Sequence, residues 1–421
     1  MTPSPTTVVL LQPPGTCSEF TRSKSLYPPL GLCQLAATVS QADAVVLDAD
    51  GSHWSGERTL SEVLARQPAL VGMTVTSYTL SLVERFARPL AARGIAVMVG
   101  GPHASFAPRD VLARCPSVRF VVRGEAEVIF PEVVARAGRG ETLHGLAGVH
   151  ERGRETAGHL DMVLRVEDLG SLPPPIFDGL PIDSWWCPDA RRRPLVTVAT
   201  TRGCPHRCAF CSSPELLGRK VRSVPVPQVL DYLEVLVRDR GVREISFVDD
   251  VFTIQRRRTL ELCRGMAERK LDLTWFCNAR ADQVTEEIAE AMAEAGCHQV
   301  YLGFESGNQG ILDRIQKGAT VADLERGAEL LARHGISRSA GFVVGLPGET
   351  AATVADSIAL AKRIRPERIQ FTRFTPLVGS PLGQDPGTTR GFHDRGLDQV
   401  SSWISACYAA VEGQAWGRES W

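Results

Sequence analysis

Three cysteines, Cys204, Cys208 and Cys211, form a CxxxCxxC motif just after an apolar run, Pro194 to Ala199. Thiolates at this spacing can converge on one centre only when the segment between them curls into a loop. Iron–sulfur clusters are held by cysteine thiolates, normally with one thiolate on each iron. Three ligands for a four-iron cube leave one iron open to a non-protein ligand, which is a catalytic arrangement.

A zinc knuckle and three incidental thiols are the competing interpretations of this motif. Zinc takes four ligands, usually as paired CxxC or Cys/His clusters. His206 can supply a fourth ligand, but it lies inside the loop and no second cluster is nearby. The remaining cysteines are scattered singly, which predicts small buried residues in a protein of a reducing cytoplasm.

The motif resembles the signature of the radical S-adenosylmethionine (SAM) enzymes, whose open iron chelates the amino and carboxylate groups of SAM. Phe210, directly before the last cysteine, matches the aromatic residue usual in that family. The resemblance implies a 4Fe-4S cluster ligated by Cys204, Cys208 and Cys211, which makes these cysteines candidate catalytic residues as well as metal ligands. It also implies SAM as a cofactor and an external electron donor of the flavodoxin or ferredoxin type.

Length and composition limit the partners of the protein. The 421 residues suggest two or three domains. With 43% hydrophobic residues, 23% charged residues and a net charge of −1, the chain has no long-range field for nucleic acid or an anionic membrane. The chain shows neither a signal-peptide pattern nor an apolar stretch as long as a membrane span. We therefore expect a cytoplasmic enzyme with a small-molecule substrate, and the sequence leaves its oligomeric state open.

Residues 1–145 alternate short apolar runs with amphipathic segments, which predicts a doubly wound, Rossmann-like parallel sheet with helices on both faces. Ligands of such α/β sheets bind on loops beyond the carboxyl ends of the strands. The candidate binding residues on these loops are mostly small or hydroxylic: Pro14, Thr74, Thr76, Ser77, Gly100, Gly101, His103, Gly124 and Glu125.

Together with Tyr27-Pro28-Pro29-Leu30-Gly31, these loops resemble the cobalamin-binding domain that precedes the radical SAM core in the cobalamin-dependent subfamily. The resemblance implies cobalamin as a further cofactor on those loops. The DxHxxG motif that supplies a lower cobalt ligand elsewhere is missing, because Asp50-Gly51-Ser52-His53 has a different spacing. We therefore expect no histidine below the cobalt. His103 is the nearby candidate, and a hydrogen-bonded loop histidine is the competing interpretation.

The second half of the chain predicts a partial barrel. Residues 146–193 are expected to form a linker, since a proline-rich run disfavours both helix and strand. Residues 194–385 alternate strands and helices as six β/α units, and barrel sites are built from loops at the carboxyl ends of strands. Residues 386–421 predict a tail with one amphipathic helix from about Asp394 to Glu412.

Polar residues and glycines follow the strands of the predicted barrel. Glu305 suits the ribose hydroxyls or the ammonium of SAM, and Arg280 can form a bidentate pair with the SAM carboxylate. Gly341 and Gly345 allow the backbone to come close to adenine. Backbone groups around Pro376 and Leu377 can complete the adenine contacts. The family resemblance implies the same regions, and Asn278 and Ser306 at the strand ends are further candidates.

The two aspartates after the second strand of the barrel, Asp249 and Asp250, resemble the "DD.F" sequence of the family, which faces the SAM amino group or the substrate. A salt bridge between loops is the competing interpretation. The resemblance implies cleavage of SAM to a 5′-deoxyadenosyl radical that takes hydrogen from an unactivated carbon of a small metabolite. C-methylation is the expected outcome when cobalamin is bound.

Two other functions stay open from the sequence. A SAM-driven diol dehydratase or cyclase needs a proton-transfer residue, for which Asp249, Asp250 and Tyr301 are the candidates. A non-catalytic iron–sulfur or cobalamin sensor needs no open iron and releases no 5′-deoxyadenosine.

Overall fold

The computed structural model describes residues 7–15, 26–40, 43–154, 163–385 and 397–412. The chain divides into two compact units, Met1–Pro188 with Arg193–Thr197, and Asp189–Arg192 with Val198–Trp421. The described strands form two six-stranded sheets and one two-stranded ladder. Within the described ranges, no helix combines the length and the apolar character needed to cross a bilayer.

The first sheet is parallel except at one edge. Its strands are β1 Val8–Gln12, β2 Ala44–Asp48, β3 Leu70–Thr74, β4 Ala96–Gly100, β5 Phe120–Val122 and β6 Val149–Glu151. They lie in the order β2-β1-β3-β4-β5-β6, and β6 pairs antiparallel with β5. This is the predicted doubly wound topology, and ligands of such sheets bind where the winding reverses, here between β1 and β3.

The strands of this sheet are apolar because both of their faces are buried. The accompanying helices are α1 Leu30–Ala37, α2 Gly56–Ala65, α3 Leu80–Ala91, α4 Pro102–Phe106, α5 Pro108–Arg114 and α6 Phe130–Gly138. The sequence predicts a helix from Leu60 to Arg66, but helix α2 already begins at Gly56. It begins earlier because the Ser55 side chain caps it and accepts a hydrogen bond from the Arg58 amide at 3.2 Å.

Two segments differ from the sequence-based expectation. The sequence predicts a loop from Gly100 to His103, whereas helix α4 already begins at Pro102. Gly101 turns the chain with a φ of 100°, and a proline in the first turn is preorganised for a helix. Strand β6 lies in the segment predicted as linker, where residues 155–162 fall outside the described residues. The domain limits predicted from the sequence stay predictions.

The second sheet confirms the six predicted β/α units. Its strands are β7 Leu195–Val198, β10 Glu244–Phe247, β11 Thr274–Ala279, β12 Cys297–Glu305, β13 Ser337–Val344 and β14 Arg368–Arg373. The order is β14-β13-β12-β11-β10-β7, and the pairs from β10 to β14 are parallel. Between β7 and β10 lies a short ladder of β8 Thr201–Arg202 and β9 Arg222–Ser223.

Helices cover one face of this sheet. The helices of this unit are α7 Ser213–Leu217, α8 Val226–Arg240, α9 Arg256–Glu268, α10 Glu286–Glu294, α11 Gln309–Arg314, α12 Val321–Arg333, α13 Ala351–Ile364, α14 Pro381–Gln384 and α15 Leu397–Val411. The layer on this face is formed by the longer ones, α8, α9, α10, α12, α13 and α15. Helix α15 is the described part of the predicted tail helix, and residues 386–396 and 413–421 of the tail lie outside the described residues. It packs on β14, where the Phe371 amide donates to the Tyr408 hydroxyl at 3.0 Å.

The opposite face of the sheet is open. In β12, Val300 and Leu302 are fully buried, whereas Tyr301 between them is 37% exposed. Asn278 of β11 pairs in register with Tyr301 and is exposed as well. Alternation along the strands therefore directs these side chains away from the helices. This open face and the carboxyl ends of the strands carry the candidate site of the core.

Candidate active site

The cysteine motif lies on a curled loop that the β8–β9 ladder closes at its base. Gly203 begins the loop with a φ of 101°, and a Cβ there would lie 2.4 Å from the Lys220 carbonyl oxygen. Only glycine fits this position without a rearrangement. The Cys204 amide then donates to the Gly218 carbonyl at 3.0 Å. The chain after the loop thus returns to the residues before it, so the cysteine segment is a closed, curled loop.

The three cysteines of the loop have free thiols, and Cys204 and Cys208 both influence the pKa of Cys211 electrostatically. Burial raises the pKa of the Cys211 thiol to about 11, with smaller contributions from Cys208, Asp250 and Cys204. Burial likewise raises the pKa of Cys204. The Ser213 amide donates to Cys211 Sγ at 3.4 Å. Three free thiols on one loop, of which Cys211 accepts a backbone N–H, are the donor type that an iron–sulfur cluster takes from a protein.

Backbone bonds to two other segments hold the loop. The Ala209 amide donates to the Ile315 carbonyl at 2.8 Å, and the Leu382 amide donates to the Ala209 carbonyl at 2.9 Å. Phe210 follows Ala209 and is half-buried. His206 Nε2 lies 3.0 Å from Gln283 Nε2, and burial lowers the pKa of this histidine to about 4. The imidazole is therefore neutral at pH 7.

Asp249 is part of the support beneath the loop. It is 1% exposed, and its carboxylate accepts hydrogen bonds from the Thr200 amide at 2.6 Å, the Thr201 amide at 2.7 Å and the Thr200 hydroxyl at 2.7 Å. Burial raises its pKa, and these bonds act in the opposite direction. Arg258 bonds to both oxygens of Thr200. The Asp249 carboxylate thus fixes the strand that leads into the cysteine loop.

Asp250, the next residue, lies beside the cysteines instead. The Ser213 hydroxyl donates to its Oδ1. Its Oδ2 is buried and has no hydrogen-bond partner among the residues that the structure describes. A buried carboxylate oxygen without a donor is costly, so this atom suits a cationic donor such as an ammonium group.

Arg280 lies at the end of β11 and is 5% exposed. Its Nε and one terminal nitrogen donate to the two oxygens of Asp282 at 3.0 and 2.9 Å. The same terminal nitrogen donates to the Lys317 carbonyl at 2.7 Å. The other terminal nitrogen lies 3.6 Å from Cys208 Sγ. A guanidinium has two edges that can each bind a carboxylate through two N–H groups. In Arg280, at least one N–H group on each edge already donates to the protein.

Glu305 is held by a lysine that the sequence analysis does not include among the candidates. Lys317 Nζ donates to Glu305 Oε1 at 2.9 Å, and both residues are buried. Glu305 has a φ of 62°, and the register of β12 against β13 shifts between Gly303 and Glu305. A Cβ on Gly303 would lie 2.3 Å from Glu305 Oε1, so the carboxylate folds back along its own strand. A left-handed non-glycine residue is a strained conformation that often marks a functional site.

Tyr301 covers one of the glycines predicted to approach adenine. A Cβ on Gly341 would lie 2.1 Å from the Tyr301 hydroxyl oxygen. The phenol can therefore occupy this position only because residue 341 is a glycine. The residue is 37% exposed on the open face, yet the hydroxyl end is surrounded by protein. Burial raises the pKa of the phenol, with contributions from Glu305 and Asp189. The phenol therefore stays protonated over the physiological range.

The remaining core candidates lie on neighbouring strand ends. Ser306 is fully buried, and its Oγ accepts from the Asn308 amide at 3.2 Å, which gives it a structural role in the loop. Gly345 turns the chain after β13 with a φ of 94°, and its amide donates to Glu349. Pro376 and Leu377 follow β14, and Leu377 is 39% exposed.

Four residues contact the predicted ones without being predicted themselves: Lys317, Asp282, Ser213 and Thr200. Asp282 and Thr200 lie within a few positions of predicted residues. A polar side chain so close to a motif could have identified both as candidates from the sequence. The contact of Lys317 with Glu305 spans 12 residues and depends on the strand bulge, which leaves no sequence pattern.

In the first unit, the loop after β3 has the most accessible candidate residues. Thr74 and Ser77 are exposed and Thr76 is half-buried. Tyr78 in the same loop is 60% exposed. The Thr76 amide donates to Thr79 Oγ1 at 2.9 Å, so the loop is ordered by its own side chains. Exposed hydroxyls and an aromatic ring beside the switch between β1 and β3 fit a large cofactor with amide substituents, such as a corrin.

His103 is a satisfied loop histidine. It is 5% exposed, its Nδ1 lies 2.8 Å from Ser77 Oγ, and its Nε2 lies 2.8 Å from Asp110 Oδ2. Both ring nitrogens therefore have hydrogen-bond partners. This geometry favours a hydrogen-bonded loop histidine over a cobalt ligand.

Two glycines predicted to approach a ligand, Gly101 and Gly124, lie against other parts of the protein, which leave no space for a side chain. A Cβ on Gly124 would lie 2.3 Å from the Leu164 carbonyl oxygen, and the next residue, Glu125, accepts a hydrogen bond from the Val166 amide. A Cβ on Gly101 would lie 2.7 Å from Thr74 Cγ2. Gly100, by contrast, has nothing closer than 3.8 Å.

The β1 loop adds one more candidate. Pro14 is half-buried, and the Gly15 amide beside it donates to Asp50 Oδ1 at 2.7 Å. The loop after β1 is thus tied to the residues that follow β2.

Comparisons with known proteins match both halves of the chain. A family model described as the radical SAM superfamily matches residues 198–361, and one described as a B12 binding domain matches residues 20–134. An uncharacterised methyltransferase of Pyrococcus horikoshii is 31% identical over 379 residues, which cover 89% of this chain and 82% of that protein. The anaerobic magnesium-protoporphyrin IX monomethyl ester cyclase of Rubrivivax gelatinosus is 28% identical, with 86% of this chain and 66% of the cyclase covered.

A solved structure shows the same fold. The radical S-adenosylmethionine methyltransferase TsrM from Kitasatospora setae, described with cobalamin and a [4Fe-4S] cluster bound, matches with a TM-score of 0.73. The match covers 90% of this chain and 77% of TsrM at 19% identity.

The chain is therefore a radical SAM enzyme and belongs to the cobalamin-dependent family of these enzymes. Its cofactors are a 4Fe-4S cluster, SAM and cobalamin. Family membership decides against the zinc knuckle and the non-catalytic sensor.

Proposed function

We propose that the enzyme catalyses cobalamin-dependent C-methylation of a small metabolite. Bound together, the cofactors supply reductive cleavage of SAM, hydrogen abstraction from an unactivated carbon, and methyl transfer. In this proposal Cys204, Cys208 and Cys211 hold the cluster. The unpartnered Oδ2 of Asp250 would accept an N–H from the amino group of SAM.

One observation favours methylation over dehydration or cyclisation: the Asp249 carboxylate is already hydrogen-bonded within the protein. A dehydratase or cyclase needs a residue that gives or takes a proton during the reaction. Asp249 already accepts three hydrogen bonds and is 1% exposed, so its carboxylate is occupied by the chain. Tyr301 has a raised pKa and stays protonated, so it cannot take up a proton as a base. The third candidate, Asp250, faces SAM and not the substrate in this proposal. Methyl transfer to a carbon radical has little need of either group.

The relatives support the same choice. The relative from Pyrococcus horikoshii is named a methyltransferase and shares 31% identity along most of both chains. The cyclase is less similar, and this chain spans 66% of its length. In this proposal the substrate is a small molecule, and an external flavodoxin- or ferredoxin-type donor supplies the electron that reduces the cluster.

The nucleoside products test the proposal. Anaerobically reconstituted protein is given SAM, reductant, cobalamin and candidate substrates, and 5′-deoxyadenosine and S-adenosylhomocysteine are quantified. Formation of both products with a given substrate is the expected result. 5′-Deoxyadenosine alone, with a converted but unmethylated substrate, would replace methylation by dehydration or cyclisation.

A cysteine variant tests the proposed ligand set. Cys208→Ala is expected to abolish SAM cleavage. The matched control is Cys263→Ala, which removes a buried thiol of helix α9 outside the loop and is expected to keep cleavage. Normal cleavage by Cys208→Ala would end the assignment of Cys208 as a cluster ligand.

A further inference from the structure

Arg280 combines three features that its predicted role does not explain. It is 5% exposed, it is clamped by Asp282, and a terminal nitrogen lies 3.6 Å from the sulfur of Cys208. A nitrogen–sulfur distance of this size is within hydrogen-bonding range for the larger sulfur atom. We propose that Arg280 is a positioning residue that donates an N–H hydrogen bond to Cys208 Sγ and raises the reduction potential of the cluster.

The geometry distinguishes this role from pairing with the SAM carboxylate. A bidentate pair with a carboxylate uses two parallel N–H groups on one edge of the guanidinium. The edge formed by Nε and a terminal nitrogen faces Asp282 at 3.0 and 2.9 Å. The other edge is blocked by the Lys317 carbonyl, which accepts from the same terminal nitrogen at 2.7 Å. The remaining terminal nitrogen is directed at Cys208 Sγ.

Hydrogen bonds to the sulfurs and nearby charge are among the factors that set the potential of an iron–sulfur cluster. Reduction adds one electron, taken in the test from a low-potential viologen, to a centre that already carries negative thiolates. A cationic N–H donor stabilises the more negative state more strongly than the oxidised state. Loss of the donor should therefore make the cluster harder to reduce.

Lys317 provides a matched control for charge alone. Its ammonium is also buried, but it donates to Glu305 at 2.9 Å and not to a cysteine sulfur. Lys317→Met removes one positive charge from the same neighbourhood and leaves the Arg280 donor in place. If the hydrogen bond is the cause, the potential should respond much less to Lys317→Met than to Arg280→Met.

The inference rests on the proposed ligand set, and the test separates the two. Iron and sulfide are first measured in reconstituted wild-type protein, where a missing cluster would refute the ligand set. The reduced fraction of the cluster is then followed by electron paramagnetic resonance in a redox titration without SAM. Arg280→Met is expected to lower the reduced-to-oxidised ratio at a fixed potential about tenfold, which is about 59 mV for a one-electron couple. Lys317→Met is expected to change it less than about threefold.

Two further measurements keep the inference refutable. If Arg280→Met does not retain iron, Asp282→Asn takes its place, because it loosens the clamp while every donor of Arg280 stays present. Loss of the Asp282 charge would by itself raise the ratio, so the expected decrease of about threefold can come only from the weakened hydrogen bond to Cys208. An unchanged ratio in the loaded variant would overturn the inference, and weaker SAM binding with an unchanged ratio would return Arg280 to the SAM carboxylate. Equal effects of Arg280→Met and Lys317→Met would also overturn it, because charge alone would then account for the shift.

Discussion

Two substitutions of Asp249 separate a support role from a chemical one. Asp249→Asn preserves shape and removes the charge and the proton-accepting carboxylate. Its amide oxygen can still accept from the Thr200 and Thr201 amides, which both donate to Oδ1 at 2.6 and 2.7 Å. Its amide nitrogen can donate to the Thr200 hydroxyl oxygen once that hydroxyl rotates. Asp249→Ala removes all three acceptor contacts.

The size of each effect follows from these contacts. A hydrogen bond to a charged acceptor contributes about 1.5–3 kcal/mol, and each buried donor left unpaired costs about 1–3 kcal/mol. Because contacts to one carboxylate are not additive, we expect Asp249→Ala to lower the free energy of unfolding by about 4 kcal/mol. Asp249→Asn exchanges charge-assisted bonds for neutral ones and should cost about 1 kcal/mol.

These free energies correspond to measurable shifts in melting temperature. In a unit of this size, 1 kcal/mol shifts Tm by about 2–4 °C. Anaerobic calorimetry is therefore expected to show a decrease of about 2–4 °C for Asp249→Asn and about 8–16 °C for Asp249→Ala. The alanine variant should also lose iron, since Thr200 and Thr201 directly precede the cysteine loop. The asparagine variant should keep its iron and its rate of 5′-deoxyadenosine formation.

One result would refute this reasoning. If Asp249→Asn carries a full cluster and melts near the wild type, yet forms no product from a cleaved SAM, then Asp249 takes part in the chemistry. Proton transfer by this residue would in turn favour the dehydratase or cyclase over the methylase.

Three further perturbations test other parts of the structure. Trp185→Phe removes the indole N–H that donates to Asp48 Oδ2 at 2.7 Å and should destabilise the protein by about 1–3 kcal/mol in calorimetry; an unchanged Tm would contradict the bond. Gly327→Ala would place a Cβ 2.0 Å from the Ala281 carbonyl oxygen, so we expect a lower Tm from about 1–3 kcal/mol of overpacking, and a normal Tm would show that helix α12 can move away freely. His103→Gln should leave the visible spectrum of the bound corrinoid unchanged, because both ring nitrogens are already hydrogen-bonded, whereas an altered spectrum would identify His103 as a cobalt ligand.

The fold could be predicted because its strands carry a strong periodic signal. Strands buried on both faces are short apolar runs, and the helices between them repeat every three to four residues, so the alternation survives without any knowledge of contacts. The prediction differs from the structure where a helix cap or a glycine turn sets the start of a helix. Helix α2 begins early because of the Ser55 cap, and helix α4 follows Gly101 because glycine permits the turn.

The chemistry of the site could be predicted further than its contacts. The CxxxCxxC spacing indicates the cluster through its resemblance to the radical SAM signature, because thiol chemistry alone leaves zinc as an alternative. The sequence predicts that Arg280 pairs with the SAM carboxylate, whereas the carboxylate that it contacts in the structure is Asp282, two residues away. The lysine that holds Glu305 depends on a bulge and a left-handed backbone, and neither has a sequence signal.

The adjacent aspartates show why a short motif does not assign a role. Successive side chains at a strand end point in opposite directions, so Asp249 and Asp250 enter different surroundings. One meets the backbone donors of Thr200 and becomes a buried support, while the other meets Ser213 and keeps one buried oxygen unpartnered within the described part of the chain. Removal of Asp250 should therefore weaken SAM binding more than it destabilises the fold. Removal of Asp249 should do the reverse, because its donors belong to the chain itself.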